Sequence, residues 1–188
     1  MIGKLHLGAR PEAFDYSKVL PGEGAYFDPI FAETGAPGTF TVNKGKMHDA
    51  VQMKGHSSDC ITDSALKWFK DMCDPAKPFF LKLHFKAPHG GFHYAPRYES
   101  YLADIDIPEP DNLFETGNHG SIASRGHNGE LLTYIGLSIS PRHRKRNYSS
   151  SILKKNKQLS DAEATKQAYQ TYLKKYLRCV KGVDDNIK

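Results

Sequence analysis

Two short segments hold residue types that could do chemistry on an anion. Gly3-Lys4-Leu5-His6-Leu7-Gly8 places an ammonium and an imidazole two positions apart between glycines. In an extended chain, side chains at i and i+2 leave the backbone on the same side, so Lys4 and His6 could converge on one negative group. Judged alone, the pair fits an exposed lysine beside a surface histidine better. The second segment, Ala87-Pro88-His89-Gly90-Gly91, follows the apolar run Phe79–Phe85. Open α/β sheets gather ligands at the carboxyl ends of their strands, so a histidine held there by a proline is placed for proton transfer. A loop histidine with no role is the other reading of His89.

Other clusters carry less. His89-x-x-x-His93 lacks a third and fourth ligand at zinc spacing. Cys73-Asp-Pro-Ala-Lys77 closes a helical pattern and reads as a helix-terminating cysteine and proline. Asp184-Asp185-Asn186 reads as a solvated helix face rather than a divalent-metal site. The basic run from Arg142 to Arg146 fits a solvated loop, with a polyanion-binding patch as the alternative.

The elements that must position these residues are legible in part. Thr62 is expected to cap a helix whose apolar residues Ala65, Leu66, Phe69 and Met72 fall at helical spacing, with Pro75 and Pro78 stopping it. Phe79–Phe85 then reads as an interior strand covered on both faces. Helix followed by buried strand predicts an α/β fold with a mostly parallel central sheet. Upstream, residues 14–20 before Pro21-Gly22 and Thr39–Val42 after a Gly-Pro turn read as short strands. Leu131–Ile135 fits strand or helix. Ser160-Asp-Ala-Glu163 has capping-box spacing. Behind it, Tyr169, Tyr172, Leu173, Tyr176, Leu177 and Val180 form a helical stripe, with Lys166, Lys174, Lys175, Arg178 and Lys181 largely off it.

Composition bounds the function classes. The 188 residues fit one compact domain, or a domain and a tail. Ten Phe, ten Tyr and one Trp are too many for a disordered acidic chain. No apolar run approaches the roughly 18 residues of a membrane span, and the first eight residues hold no apolar stretch of signal-peptide length. A net charge of 26 − 21 = +5 favours anionic partners but falls short of a nucleic-acid signature. Three cysteines make no disulfide framework.

Taken in order, Gly3-Lys-x-His-x-Gly8, Phe14-Asp-Tyr-Ser17, Leu20-Pro-Gly-x-Gly24, Tyr26-Phe-Asp-Pro29, Ser58-Asp-Cys-Ile-Thr-Asp-x-Ala-Leu-Lys-Trp68, Lys77-Pro-Phe-Phe80 and Lys86-Ala-Pro-His89 resemble the type I sulfatases of the alkaline-phosphatase-like superfamily. Pro96-Arg-Tyr98, Ile107-Pro-x-Pro110, and Tyr172-x-x-x-Tyr176 with Val183-Asp-Asp-Asn186 extend the resemblance over nearly the whole chain. It implies a partial alkaline-phosphatase-like sandwich and hydrolysis of a sulfate ester, with sulfated carbohydrate the expected substrate. Lys4 would contact the sulfate, His6 the nucleophile, and His89 the leaving oxygen as its proton donor, the three converging on one pocket. Arg125 and His127 match a loop that reaches the substrate end of the cleft. The family uses calcium and a formylglycine made from Cys or Ser in Cys/Ser-x-Pro-x-Arg, upstream of Gly-Lys-x-His. The resemblance therefore implies an internal fragment, inactive by itself, of an enzyme family usually found in the periplasm, outside the cell or in lysosomes. A small basic protein that binds sulfated glycans or nucleic acid is the alternative.

Overall fold

A computed structural model describes residues 1–42, 45–111 and 160–188. Two compact units divide it: Met1–Pro88, Tyr94–Pro96 and Cys179–Lys188 in the first, His89–His93 and Arg97–Arg178 in the second.

The first unit is built on a sheet of β1 (Ile2–Leu5), β2 (Lys18–Pro21), β3 (Ile30–Glu33), β4 (Gly38–Val42), β5 (Gly45–Gln52) and β6 (Leu83–His84). Their spatial order is β4-β5-β3-β2-β1-β6. The strands β2, β1 and β6 run parallel, and β3, β5 and β4 extend the sheet with antiparallel pairing. One helix, α1 (Ser57–Asp71), covers a face. Ile2, Leu20, Phe31, Cys60, Ile61 and Ala65 form the core beneath it, with Tyr16, Val51, Trp68, Leu83 and Phe85 packed around. This mixture of sheet and helix is the expected α/β class.

Gly3 sets the approach of β1 to β6. Its φ is +112°, and a Cβ there would lie 1.9 Å from the carbonyl oxygen of His84. Only glycine lets the two strands come this close.

Three expectations are corrected. The cap of α1 is His56 rather than Thr62: its ring nitrogen Nδ1 accepts from the Ser58 amide, and the helix starts five residues earlier than Thr62. Its buried face carries Ser57, Ser58, Cys60, Ile61, Ser64 and Ala65, whereas Leu66, Phe69 and Met72 are exposed. Small residues on that face let the helix sit close to the sheet, which an apolar count does not weigh. Phe79–Phe85 is not an interior strand. Among the described residues only Leu83–His84 of this run pairs, with Ile2 and Gly3, and it stands at the end of the strand order. Phe79 and Phe80 stand 58% and 76% exposed. They meet rings instead of strands: Phe79 lies edge-on to Trp68 and Phe69, and Phe80 stacks on Phe14. An unbroken apolar run states burial preference but not which of its residues find a ladder partner.

In the second unit, the part of helix α2 (Asp161–Ile187) that runs to Arg178 holds the preceding segment through its side chains. Ser160 and Glu163 close the expected capping box: the Ser160 amide donates to Glu163 and the Glu163 amide to the Ser160 hydroxyl. Tyr169 donates to the Pro108 carbonyl at 2.8 Å, and Gln170 both donates to and accepts from the Ile107 backbone. Lys174 donates to Ala103 and Arg178 to Tyr101. These bonds satisfy carbonyls of an irregular stretch that has no ladder of its own. Lys174 and Arg178, read from sequence as off the helix's contact stripe, are thus structural here. The stripe itself holds at Tyr172 and Tyr176, whose rings meet Phe92 edge-on at 5.0 and 5.7 Å. Leu131–Ile135 and the run from Arg142 to Arg146 lie outside the described residues.

Candidate active site

Parallel strands deliver their carboxyl ends to one edge, and three of them deliver polar residues there. β1 contributes Lys4 and, one residue past its end, His6. β2 runs into the turn Pro21-Gly22-Glu23-Gly24, pinned by the Gly22 amide donating to the Leu5 carbonyl at 3.2 Å. β6 leads to Lys86. Gly24 has φ +63°, and a Cβ on it would strike Leu20, so the turn that presents Glu23 depends on this glycine.

Lys4 and His6 meet at the Glu23 carboxylate, and Lys86 reaches the backbone of the same residue. The Lys4 ammonium lies 3.3 Å from Glu23 Oε2, and His6 Nδ1 lies 3.6 Å from Glu23 Oε1. Lys4 is mostly covered, whereas His6 and Glu23 face solvent. Lys86 is buried; its ammonium donates to the Glu23 carbonyl at 2.6 Å and stands 4.7 Å above the Tyr26 ring. Burial holds the Lys86 pKa below the usual lysine value, and the Lys4 charge lowers it further, while Glu23 opposes both. Tyr26 is itself pushed up, by burial first and then by Cys179 beside it. Lys4 and His6 therefore do converge on one anionic group, which here is the Glu23 carboxylate.

His89 opens the second unit, half-buried, its carbonyl accepting from the Phe92 amide at 3.4 Å. Arg125 and His127 lie outside the described residues. Glu23 and Lys86 were not singled out as site residues by sequence. The signal available was a carboxylate between two glycines two residues past one strand, and a lysine two residues past another.

The Cys73–Lys77 and Asp184–Asn186 segments are held in structural contacts. Cys73 follows the end of α1 with its amide donating to Trp68, while Asp74 accepts from the Ala76 amide and pairs with Lys77 at 3.3 Å. This turn stops the helix. Asp184 and Asp185 pair with Lys188 and Lys181, and Asn186 donates to Asp59. Neither arrangement fits the family's cofactors: Lys77 stands where the formylglycine motif needs arginine, and among the described residues no three His, Cys, Asp or Glu side chains group to hold calcium.

Thiol accessibility tests this placement. Cys60 and Cys179 are each 1% exposed, Cys73 is half-buried, and burial pushes the Cys60 thiol up to about 11. Thiolate is the reacting form. Cys73 is expected to react with iodoacetamide first at pH 8, with Cys60 and Cys179 labelled only on unfolding. Mass mapping that found Cys60 modified first would contradict the packing.

Comparison with known proteins agrees with this architecture. The family model described as Sulfatase matches residues 1–188. An N-acetylglucosamine-6-O-sulfatase of Bacteroides thetaiotaomicron is 36% identical over 118 residues, 61% of this chain and 19% of that protein. The solved structure of BT4656 in complex with its substrate D-glucosamine-2-N,6-O-disulfate is 29% identical with a TM-score of 0.68, covering 100% of this chain and 42% of that one. The chain thus spans about a fifth of the curated relative and two-fifths of the solved one. The sheet and helix described above are consistent with part of an alkaline-phosphatase-like fold. With its family match running from the first residue to the last, the chain belongs to the sulfatase family.

Proposed function

We propose that this chain provides the sulfate-binding part of a sulfuric ester hydrolase acting on sulfated carbohydrate, with 6-O-sulfated glucosamine as the substrate class. The observation that carries the reading is the meeting of Lys4 and His6 on one carboxylate at the carboxyl edge of β1. An ammonium and an imidazole that share one carboxylate can share two oxygens of a sulfate. The relatives named above support the sugar: one is called an N-acetylglucosamine-6-O-sulfatase, and the other is described with a 6-O-sulfated glucosamine as its substrate.

Cleavage forms a bond from a nucleophile to sulfur and breaks the bond from sulfur to the sugar oxygen, which then takes a proton. Lys4 would neutralise a sulfate oxygen as charge builds, and His6, which the family resemblance sets against the nucleophile, stands close enough to the same anion to contact it as well. The family resemblance assigns the leaving-oxygen proton to His89. The attacking group itself has no candidate in Cys/Ser-x-Pro-x-Arg form within these 188 residues. Without a nucleophile, positioned cations do not make a turnover cycle.

The purified 188-residue chain is therefore expected to bind 6-O-sulfated glucosamine but release no sulfate from it above background, with or without calcium. Ion chromatography of released sulfate is the measurement. Reproducible release, abolished by Cys73→Ala, would overturn this reading and make Cys73 the nucleophile.

A further inference from the structure

Glu23 sits where a ligand anion would sit, and the chain holds it there. Its two carboxylate oxygens face the two groups, Lys4 and His6, that are proposed to receive sulfate. Its backbone carbonyl is fixed by the buried Lys86 ammonium at 2.6 Å, and Gly22 and Gly24 bracket it in a turn that admits no larger residue at Gly24. The carboxylate is half exposed, so it can swing aside for a ligand while its backbone stays in place. A group held this way cannot leave the neighbourhood of the bound anion.

We propose that Glu23 is a specificity-determining residue that makes the Lys4–His6 seat select a monoanionic sulfate ester over a dianionic phosphate ester. The proposal rests on the reading of Lys4 and His6 as a sulfate seat. A sulfate monoester carries one negative charge. A phosphate monoester has a second ionisation near pH 6 and carries about 1.5 to 2 charges at pH 7. Both have similar size and tetrahedral shape, so contacts alone separate them weakly. A carboxylate a few ångströms from the seat repels each added negative charge. Lys4 and Lys86 supply two ammonium groups at this edge, and Glu23 offsets one of them, leaving a seat matched to a single negative charge. Both ammonium groups reach Glu23, Lys4 at its carboxylate and Lys86 at its backbone carbonyl, so both contribute to the field around that carboxylate.

The test compares glucosamine-6-sulfate with glucosamine-6-phosphate, titrated separately into the full 188-residue chain at pH 7.5 and low salt. The wild-type chain is expected to prefer the sulfate. Glu23→Gln keeps the side chain's size and removes its charge, and is expected to shift the ratio of the two dissociation constants toward phosphate by about tenfold, equal to about 1.4 kcal/mol. Glu23→Asp retains the charge and should retain the wild-type preference. An unchanged ratio in Glu23→Gln, with both ligands still binding, would overturn the role of Glu23 and leave the sulfate seat standing. Failure of the wild-type chain to bind either ligand would overturn the seat and, with it, this inference.

Discussion

Gly3→Ala is expected to destabilise the first unit by at least about 3 kcal/mol, because the new methyl would be driven into backbone rather than into a side chain that could move. Its Cβ would stand 1.9 Å from the His84 carbonyl oxygen, and φ at +112° is a region that L-residues rarely enter. Relief requires separating β6 from β1, yet the Ile2–Leu83 and Gly3–His84 pairing is what attaches β6 to the sheet. A domain is commonly stable by only about 5–15 kcal/mol, so this is a large fraction of the total. In a chain of this size the loss corresponds to a melting temperature lower by roughly 6–12 °C. Circular dichroism on the variant measures it. A melting curve superimposable on wild type would show that β1 and β6 are not joined as described.

Lys4→Ala is expected to weaken binding of 6-O-sulfated glucosamine roughly 10- to 100-fold, the range set by losing a hydrogen bond from a charged donor. The loss should appear in affinity with little change in melting temperature, since a partly exposed ion pair such as Lys4–Glu23 contributes little to folding. Lys4→Arg should recover part of the affinity, because the charge remains while the geometry changes. Isothermal titration separates these cases. Equal affinity for Lys4→Ala and wild type would remove Lys4 from the site.

The α/β class was legible in the sequence, whereas the pairing and packing of individual segments were not. The i, i+2 spacing of Lys4 and His6 is local and was readable, although β1 ends at Leu5 and it is Glu23, from the turn after β2, that both side chains face. The capping box at Ser160 and Glu163 was likewise local and therefore readable. Phe79–Phe85 failed because strand pairing is decided by a distant partner: only Leu83 and His84 lie opposite Ile2 and Gly3. The face of α1 failed for a related reason, since Ser57, Ser58 and Ser64 are buried where an apolar count sees only polar residues. Glu23 and Lys86 acquire a role only when parallel pairing brings three strand ends to one edge, which no local pattern states.

The most direct measurement is a paired titration of the wild-type 188-residue chain with glucosamine-6-sulfate and with unsulfated glucosamine, repeated at rising salt. The sulfated sugar is expected to bind at least about tenfold more tightly, a preference equal to about 1.4 kcal/mol, and the advantage should shrink as salt screens the Lys4 ammonium. Equal binding of the two sugars at low salt would contradict a sulfate seat at Lys4 and His6.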